Sequence, residues 1–273
     1  MFKILASVLL GMSTSVFLNQ ASADELIQSG LYRTPLVELY TSQECPNCEE
    51  AEEWVDSLRN ANNGSSKPLA LAFHVNYLDS SAHQDPYASK EVRGTARQKQ
   101  LVKLNQEFNQ NSFMYTPQVF TSSREVKDWK NKARVQAVLD LIANEMAKST
   151  ISLSIAQQGQ TLDVHGVIRA MPASLVYLAV YENGLKDRVN PINKQNTNIE
   201  HQRVVRQLIG PFPVPRSGLL DKGFLIDLGS SVRNNSGIVL FVELANGEVD
   251  QALDFPLQMA KLISNIEQNY LNK

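Results

Sequence analysis

The spacing of apolar and polar positions divides the chain into two parts. Before residue 150, short apolar runs such as Leu36–Tyr40 and Leu69–Val75 alternate with segments of helical period, among them Glu49–Leu58. Such runs are typical of buried strands, and a strand–helix–strand order predicts parallel pairing through a right-handed crossover. From residue 150 the period changes to two, as in Ile151–Ile155 and Leu162–Ile168. The pattern therefore predicts an α/β domain followed by an all-β sandwich-like domain.

Two terminal segments frame these predicted domains. Met1–Ala23 has the features of a secretory signal peptide: a lysine near the start, an apolar stretch and an Ala21-Ser22-Ala23 cleavage site. An anchoring helix is the alternative, but the apolar stretch is short and interrupted for a membrane span. We expect a periplasmic or secreted bacterial protein, in a compartment where disulfides persist. The predicted units are the signal peptide at 1–23, the α/β domain at 24–149, the β-sandwich-like domain at 150–256 and a C-terminal helix at 257–273.

The charge balance restricts the expected partners. The chain has 26 Lys and Arg residues against 28 Asp and Glu residues, a net charge of −2. No run of basic residues occurs, which argues against nucleic acid and, once the signal peptide is removed, against a membrane as the main partner.

The strongest chemical signal is the C-x-x-C motif of Cys45 and Cys48, the chain's two cysteines. It lies between a predicted strand and a predicted helix, so we expect both residues in the first helical turn. There the helix dipole and the unpaired backbone N–H groups favour a thiolate over a thiol. Three interpretations stay open: a redox-active pair, an inert disulfide, and a metal site that takes further ligands from elsewhere.

Two neighbouring residues are candidates for tuning the cysteine pKa. Parallel strands place their carboxyl ends at one sheet edge, so His74, at the end of the second strand, is expected near Cys45. An imidazolium there favours the thiolate, whereas the carboxylate of Glu44 raises the pKa of the thiol. The alternative for His74 is a strand-end histidine that is hydrogen-bonded to its own loop.

The order of these motifs resembles the thioredoxin fold over about residues 34–148. The local sequences are also similar to those of a family of secreted bacterial proteins of unknown function with a thioredoxin-like N-terminal domain. The likeness is carried by Val37–Gln43, Phe73-His74-Val75 with Tyr77, Tyr115–Gln118, and His201 with Val204–Arg206.

The resemblance implies a peptide-binding groove beside the cysteines. In a thioredoxin-like domain Pro117 would be the cis-proline that faces the C-x-x-C motif. Thr116 would then offer backbone hydrogen bonds to a bound peptide, and Tyr77 would line the same groove. These three residues are the expected substrate-binding set.

We expect thiol–disulfide exchange on protein or peptide thiols, without a cofactor. Cys45 would attack and Cys48 would resolve the mixed disulfide. One alternative is a copper(I) carrier that uses the same cysteines, with His74 and Met114 as further ligands. The other is a non-catalytic interaction module.

Other polar residues are expected to have ordinary structural roles. His165 alternates with apolar positions and should face solvent. His201 could belong to an anion site or an interdomain site, but a solvated strand face is the favoured interpretation. Helix capping or loop hydrogen bonds are favoured for Asp85, and core packing for Met114.

If the two tuning residues act on Cys45, their replacement should move its pKa in opposite directions. His74→Ala should raise the pKa of the reduced thiol and slow its alkylation by iodoacetamide at neutral pH. Glu44→Gln should lower the pKa and accelerate alkylation, and one pKa unit corresponds to about 1.4 kcal/mol. The measurement is the pH profile of alkylation for the reduced wild type and both variants. Three superimposable profiles would contradict the prediction.

Overall fold

A computed structural model describes residues 25–58, 67–158, 160–186, 200–228 and 235–257. The predicted signal peptide lies outside these residues, as does the predicted C-terminal helix beyond Leu257. No helix among the described residues is long and apolar enough to cross a membrane.

The described residues form strands and three helices. In chain order these are β1 (Glu25–Gln28), β2 (Leu36–Thr41), α1 (Cys48–Ser57), β3 (Leu69–His74), α2 (Gly94–Glu107), β4 (Gln118–Thr121), β5 (Arg124–Glu125), α3 (Lys132–Ala143), β6 (Thr150–Gln158), β7 (Thr161–Arg169), β8 (Leu175–Glu182), β9 (Leu185–Lys186), β10 (Glu200–His201), β11 (Val204–Pro213), β12 (Leu219–Asp227), β13 (Ser236–Glu243) and β14 (Val249–Pro256).

An eight-stranded sheet runs through both halves of the chain, in the order β14-β13-β8-β11-β3-β2-β4-β5. Strands β2 and β3 are parallel, as the crossover pattern predicts, and β11 is parallel to β3 where Val204 lies opposite Ala72. All other pairs in this sheet are antiparallel. Strand β11 therefore joins the strands of the first half to those of the second.

The predicted fold class, an α/β thioredoxin-like domain followed by an all-β sandwich-like domain, is wrong. The protein is mostly β, and its largest sheet is shared by the two halves. The physical reason is a pairing between residues far apart in sequence: β3 offers an open edge, and β11 covers it instead of closing a sheet of its own. The predicted boundaries of the folding units stay predictions.

Apolar side chains cover both faces of the large sheet. One face carries a core that extends from Leu36 and Tyr40 through Phe73 to Phe241, and α2 packs on it through Leu101. The opposite face is divided: α1 and α3 cover the first half, and a sheet of order β1-β6-β7-β12 covers the second half. The period-two pattern after residue 150 reflects this packing, because alternate residues of β6 and β7 point into the shared core.

Helix α2 begins only at Gly94, because the residues between Pro86 and Gly94 form turns. Gly94 packs so closely on β3 that a β-carbon there would lie 2.3 Å from the carbonyl oxygen of His74. The sequence pattern also gives no strand at Val249–Pro256, which pairs with β13 at the edge of the sheet.

A buried cluster of charges connects α2 to both halves of the sheet. Arg97 donates to both carboxylate oxygens of Glu38 in β2, at 3.1 and 3.0 Å, and to Glu243 in β13 at 2.6 Å. Tyr40 donates a further hydrogen bond of 2.9 Å to Glu38. Burial raises the pKa of Glu243, and the charge of Arg97 opposes that rise. The guanidinium lies 5.0 Å above the ring of Tyr177, so an aromatic face also shields it from water.

Removal of the arginine should destabilise the protein strongly. Arg97→Met leaves two buried carboxylates without their counter-ion and should lower the free energy of unfolding by about 3–5 kcal/mol. Lys103→Met is the matched control, because its side chain on the same helix is 78% exposed and its contact with Glu107 is 4.0 Å long. The control should change the free energy by less than about 0.5 kcal/mol. Urea denaturation of both variants tests this, and equal effects would contradict it.

Candidate functional site

The two cysteines form a disulfide at the start of α1. Their α-carbons are 5.4 Å apart, and the backbone N–H of Cys48 donates to the carbonyl of Cys45 at 3.2 Å. The prediction that both lie in the first helical turn is wrong for Cys45, because α1 begins at Cys48 and Cys45 precedes it in a turn. The N–H of Cys45 donates instead to the carbonyl of Ser42, at 3.1 Å. Cys45 is 8% exposed and Cys48 2% exposed, so Cys45 is the more accessible of the two residues.

The residues predicted to bind substrate lie together at this edge of the sheet. The peptide bond between Thr116 and Pro117 is cis. It leads into β4, where Gln118 lies opposite Tyr40 near the end of β2, and the loop that follows β2 carries Cys45. Tyr77 is 39% exposed, and its hydroxyl lies near the side chain of Thr116. Partial burial raises the pKa of Tyr77.

Asp85 connects the cysteine loop to His74. Its Oδ2 accepts from the backbone N–H of Gln43 at 2.9 Å and lies 2.7 Å from Nδ1 of His74, while Oδ1 accepts from the N–H of Tyr87 at 2.9 Å. Burial alone would raise the pKa of Asp85, but the hydrogen bond and charge of His74 and the two backbone donors outweigh it and lower the pKa. Asp85 therefore accepts hydrogen bonds from the backbone of its surrounding loops, as expected, and in addition contacts His74.

A second histidine–carboxylate pair lies beside the first. Nδ1 of His201 is hydrogen-bonded to the carboxylate of Glu52, which also accepts from the hydroxyl of Thr41. Burial alone would raise the pKa of Glu52, but the hydrogen bond and charge of His201 lower it below the usual value. The predicted solvated position of His201 is wrong, since this residue is 4% exposed. The rings of His201 and His74 are 5.5 Å apart, edge to face.

Local periodicity explains how these side chains converge. In β3, Ala70 packs on the face covered by α1, and His74 lies four residues further along the strand, on the same face. On α1, Cys48 and Val55 are buried, and Glu52 shares their face because it lies one turn after Cys48. The sequence pattern does not distinguish Glu52, which is one of four glutamates near the start of the helix. The spacing from Cys48 was the signal that could have found it.

The residues expected to tune Cys45 have other contacts. Glu44 lies 3.8 Å from Nε2 of His83, which in turn contacts the side chain of Gln43 at 3.0 Å. The contacts of the His74 ring are with Asp85, Tyr87 and His201, so the effect of His74 on the cysteine stays a prediction.

Two further residues have the expected surroundings. Met114 packs against the hydrophobic core. The side chain of His165 is 49% exposed, as expected, and contacts Asp221 at the surface.

The chain matches a known protein family over most of its length. Residues 36–242 match the family described as "Protein of unknown function (DUF1223)". The chain belongs to this family. Membership of a family of unknown function is thereby confirmed, while the thioredoxin-like domain expected from the resemblance is corrected by the fold. No curated protein matches this DUF1223 chain.

Two solved structures are similar to this DUF1223 chain. A crystal structure of a protein from Agrobacterium tumefaciens has a TM-score of 0.57 and 19% identity, and the match covers 83% of this chain and 95% of that one. The HBP35 protein of Porphyromonas gingivalis has a TM-score of 0.63 and 13% identity, with 84% of this chain and 77% of that one covered. At these identities the likeness concerns the fold alone.

The buried position of Asp85 predicts a measurable contribution to stability. Asp85→Asn leaves one accepting oxygen for three donors, so at least one donor loses its partner, which costs about 1–3 kcal/mol of unfolding free energy at pH 7. Asp221→Asn is the matched control, because it alters another His–Asp pair whose carboxylate is 64% exposed. That control should change stability by less than about 0.5 kcal/mol. Chemical denaturation of the two variants tests this, and an Asp85→Asn protein as stable as the control would contradict it.

Proposed function

We propose that this protein exchanges disulfides with protein or peptide thiols through Cys45 and Cys48. The observation that carries the proposal is the arrangement of the chain's two cysteines as one pair at a helix start. The closed loop is short, so the bond would add little stability as a staple. A pair at a helix N-terminus is instead in a position that favours the thiolate of Cys48 as a leaving group.

The difference in exposure supports an order of events. In the reducing direction the Cys45 thiolate attacks one sulfur of a substrate disulfide, forms a mixed disulfide and expels the other sulfur as a thiolate. The Cys48 thiolate then attacks the Cys45 sulfur, which closes the Cys45–Cys48 bond and releases the second substrate thiolate. Two electrons pass from the cysteine pair to the substrate, and each released thiolate takes a proton from water. In the oxidising direction the same steps run backwards.

The surroundings of Cys45 support a peptide substrate. Tyr77, Thr116 and Pro117 lie at the same sheet edge, and Tyr77 leaves 39% of its surface exposed. An exposed aromatic ring beside an irregular backbone segment offers both apolar contact and hydrogen bonds to an extended chain. We place this activity in the periplasm or outside the cell, where a disulfide partner is available.

Single cysteine variants should separate the two roles. In Cys48→Ser the attacking thiol remains, so incubation with oxidised glutathione should give a stable mixed disulfide at Cys45. In Cys45→Ser the remaining thiol is more buried, and the adduct should form at least about tenfold more slowly. Mass spectrometry of acid-quenched samples measures both adducts. A variant that lacks both cysteines is the control for non-covalent adducts.

The wild-type protein should equilibrate between dithiol and disulfide in glutathione buffers without a lasting adduct. A disulfide that persists in excess reduced glutathione while the protein remains folded would contradict the proposal. Equal adduct rates in the two single variants would contradict the assigned order of attack.

A further inference from the structure

We propose that Glu52, His74 and His201 bind a divalent metal ion of the zinc class. This proposal does not rest on the disulfide exchange proposed above, because the ligands are different side chains. The cysteines remain paired while the metal binds.

The three side chains come from separate elements and meet inside the protein. Glu52 lies on α1, His74 at the end of β3 and His201 in β10. One ligand atom of each lies within 4.8 Å of the others. Bonds of about 2.0–2.2 Å to zinc would place neighbouring ligand atoms about 3.3 Å apart. The widest separations would therefore need to shorten by up to about 1.5 Å around the ion, while the hydrogen-bonded atoms of Glu52 and His201 would need to move apart.

His74 is oriented as a metal ligand would be. The carboxylate of Asp85 can only accept, so the contact at its Oδ2 fixes the proton on Nδ1 of His74. In the neutral ring Nε2 then carries a free lone pair. This atom is buried and has no hydrogen-bond partner in the part of the chain that the structure describes. Buried polar atoms are rarely left unpaired, and a carboxylate behind the far nitrogen is the usual support for a metal-binding histidine.

The ligand types favour one class of ion. Two imidazole nitrogens and one carboxylate oxygen suit zinc and similar divalent ions, whereas copper(I) prefers sulfur ligands. Three protein ligands leave a position open for water or a small molecule. Tyr87 packs edge-on against both histidines, with ring centres 5.1 Å from His74 and 5.4 Å from His201. The aromatic ring limits the access of water to the cluster.

The metal-free contacts are compatible with binding. Glu52 and His201 share a hydrogen bond, and a metal ion would replace it with two coordinate bonds and release the shared proton to water. The hydroxyl of Thr41 would continue to donate to the carboxylate and hold it in place.

The test is a zinc titration of the mature protein after treatment with a chelator. The protein is kept oxidised, so the cysteines cannot act as thiolate ligands. Calorimetry should show one zinc ion bound per chain, and zinc should raise the melting temperature. Cobalt(II) should give visible absorption of a four- or five-coordinate site with nitrogen and oxygen ligands and without a thiolate charge-transfer band.

Three variants and one control identify the ligands. Glu52→Gln and His74→Ala should each abolish stoichiometric binding. Asp85→Asn should weaken binding by about 10–100-fold, because it removes the support behind His74. His165→Ala is the control, since His165 has a carboxylate partner but lies at the surface; it should bind zinc as the wild type does.

Circular dichroism identifies variants that fail to fold. Glu52→Gln conserves the shape of a partly exposed side chain, so this variant is expected to fold and to test the proposal even if another variant does not. Absence of zinc binding by the oxidised wild type would overturn the proposal. Unchanged binding by a folded Glu52→Gln protein would also overturn it.

Discussion

Strand β11 pairs with both β3 and β8 and thereby holds the two halves of the chain in one sheet. An uncovered β3 would leave a row of backbone donors and acceptors at an open edge. Strand β11 satisfies part of that edge and continues the sheet into the second half of the chain. The same pairing brings His201, just before β11, to the end of β3 where His74 lies.

Buried charges make this arrangement specific. Arg97 has carboxylate partners on β2 and β13, and Arg33 donates to Glu145 and, at 3.0 Å, to Glu248. An unpaired charge in these positions would be costly, so another register of the strands would be penalised. These contacts connect sequence regions that are far apart in the chain.

Helix α1 combines two kinds of chemistry. Its first residue, Cys48, belongs to the disulfide, and Glu52, one turn later, reaches the two histidines under the helix. The two proposed sites are therefore neighbours on one face of the same helix, with Cys48 at its first residue and Glu52 one turn later. If both proposed sites are present, the redox-active cysteines lie next to a metal ion that they do not bind.

Local features of this protein can be predicted from the sequence alone: the apolar runs of β2 and β3, the C-x-x-C motif before a helix, and the exposed position of His165. These depend on periodicity and on neighbouring residues, which the sequence displays directly. The fold class, the burial of His201 and its contact with Glu52 are visible only in the folded chain. The fold class and the position of His201 both follow from the pairing of β11 with β3, which lies far away in the sequence. A polar residue beside other polar residues has the same local pattern whether it faces water or a buried partner.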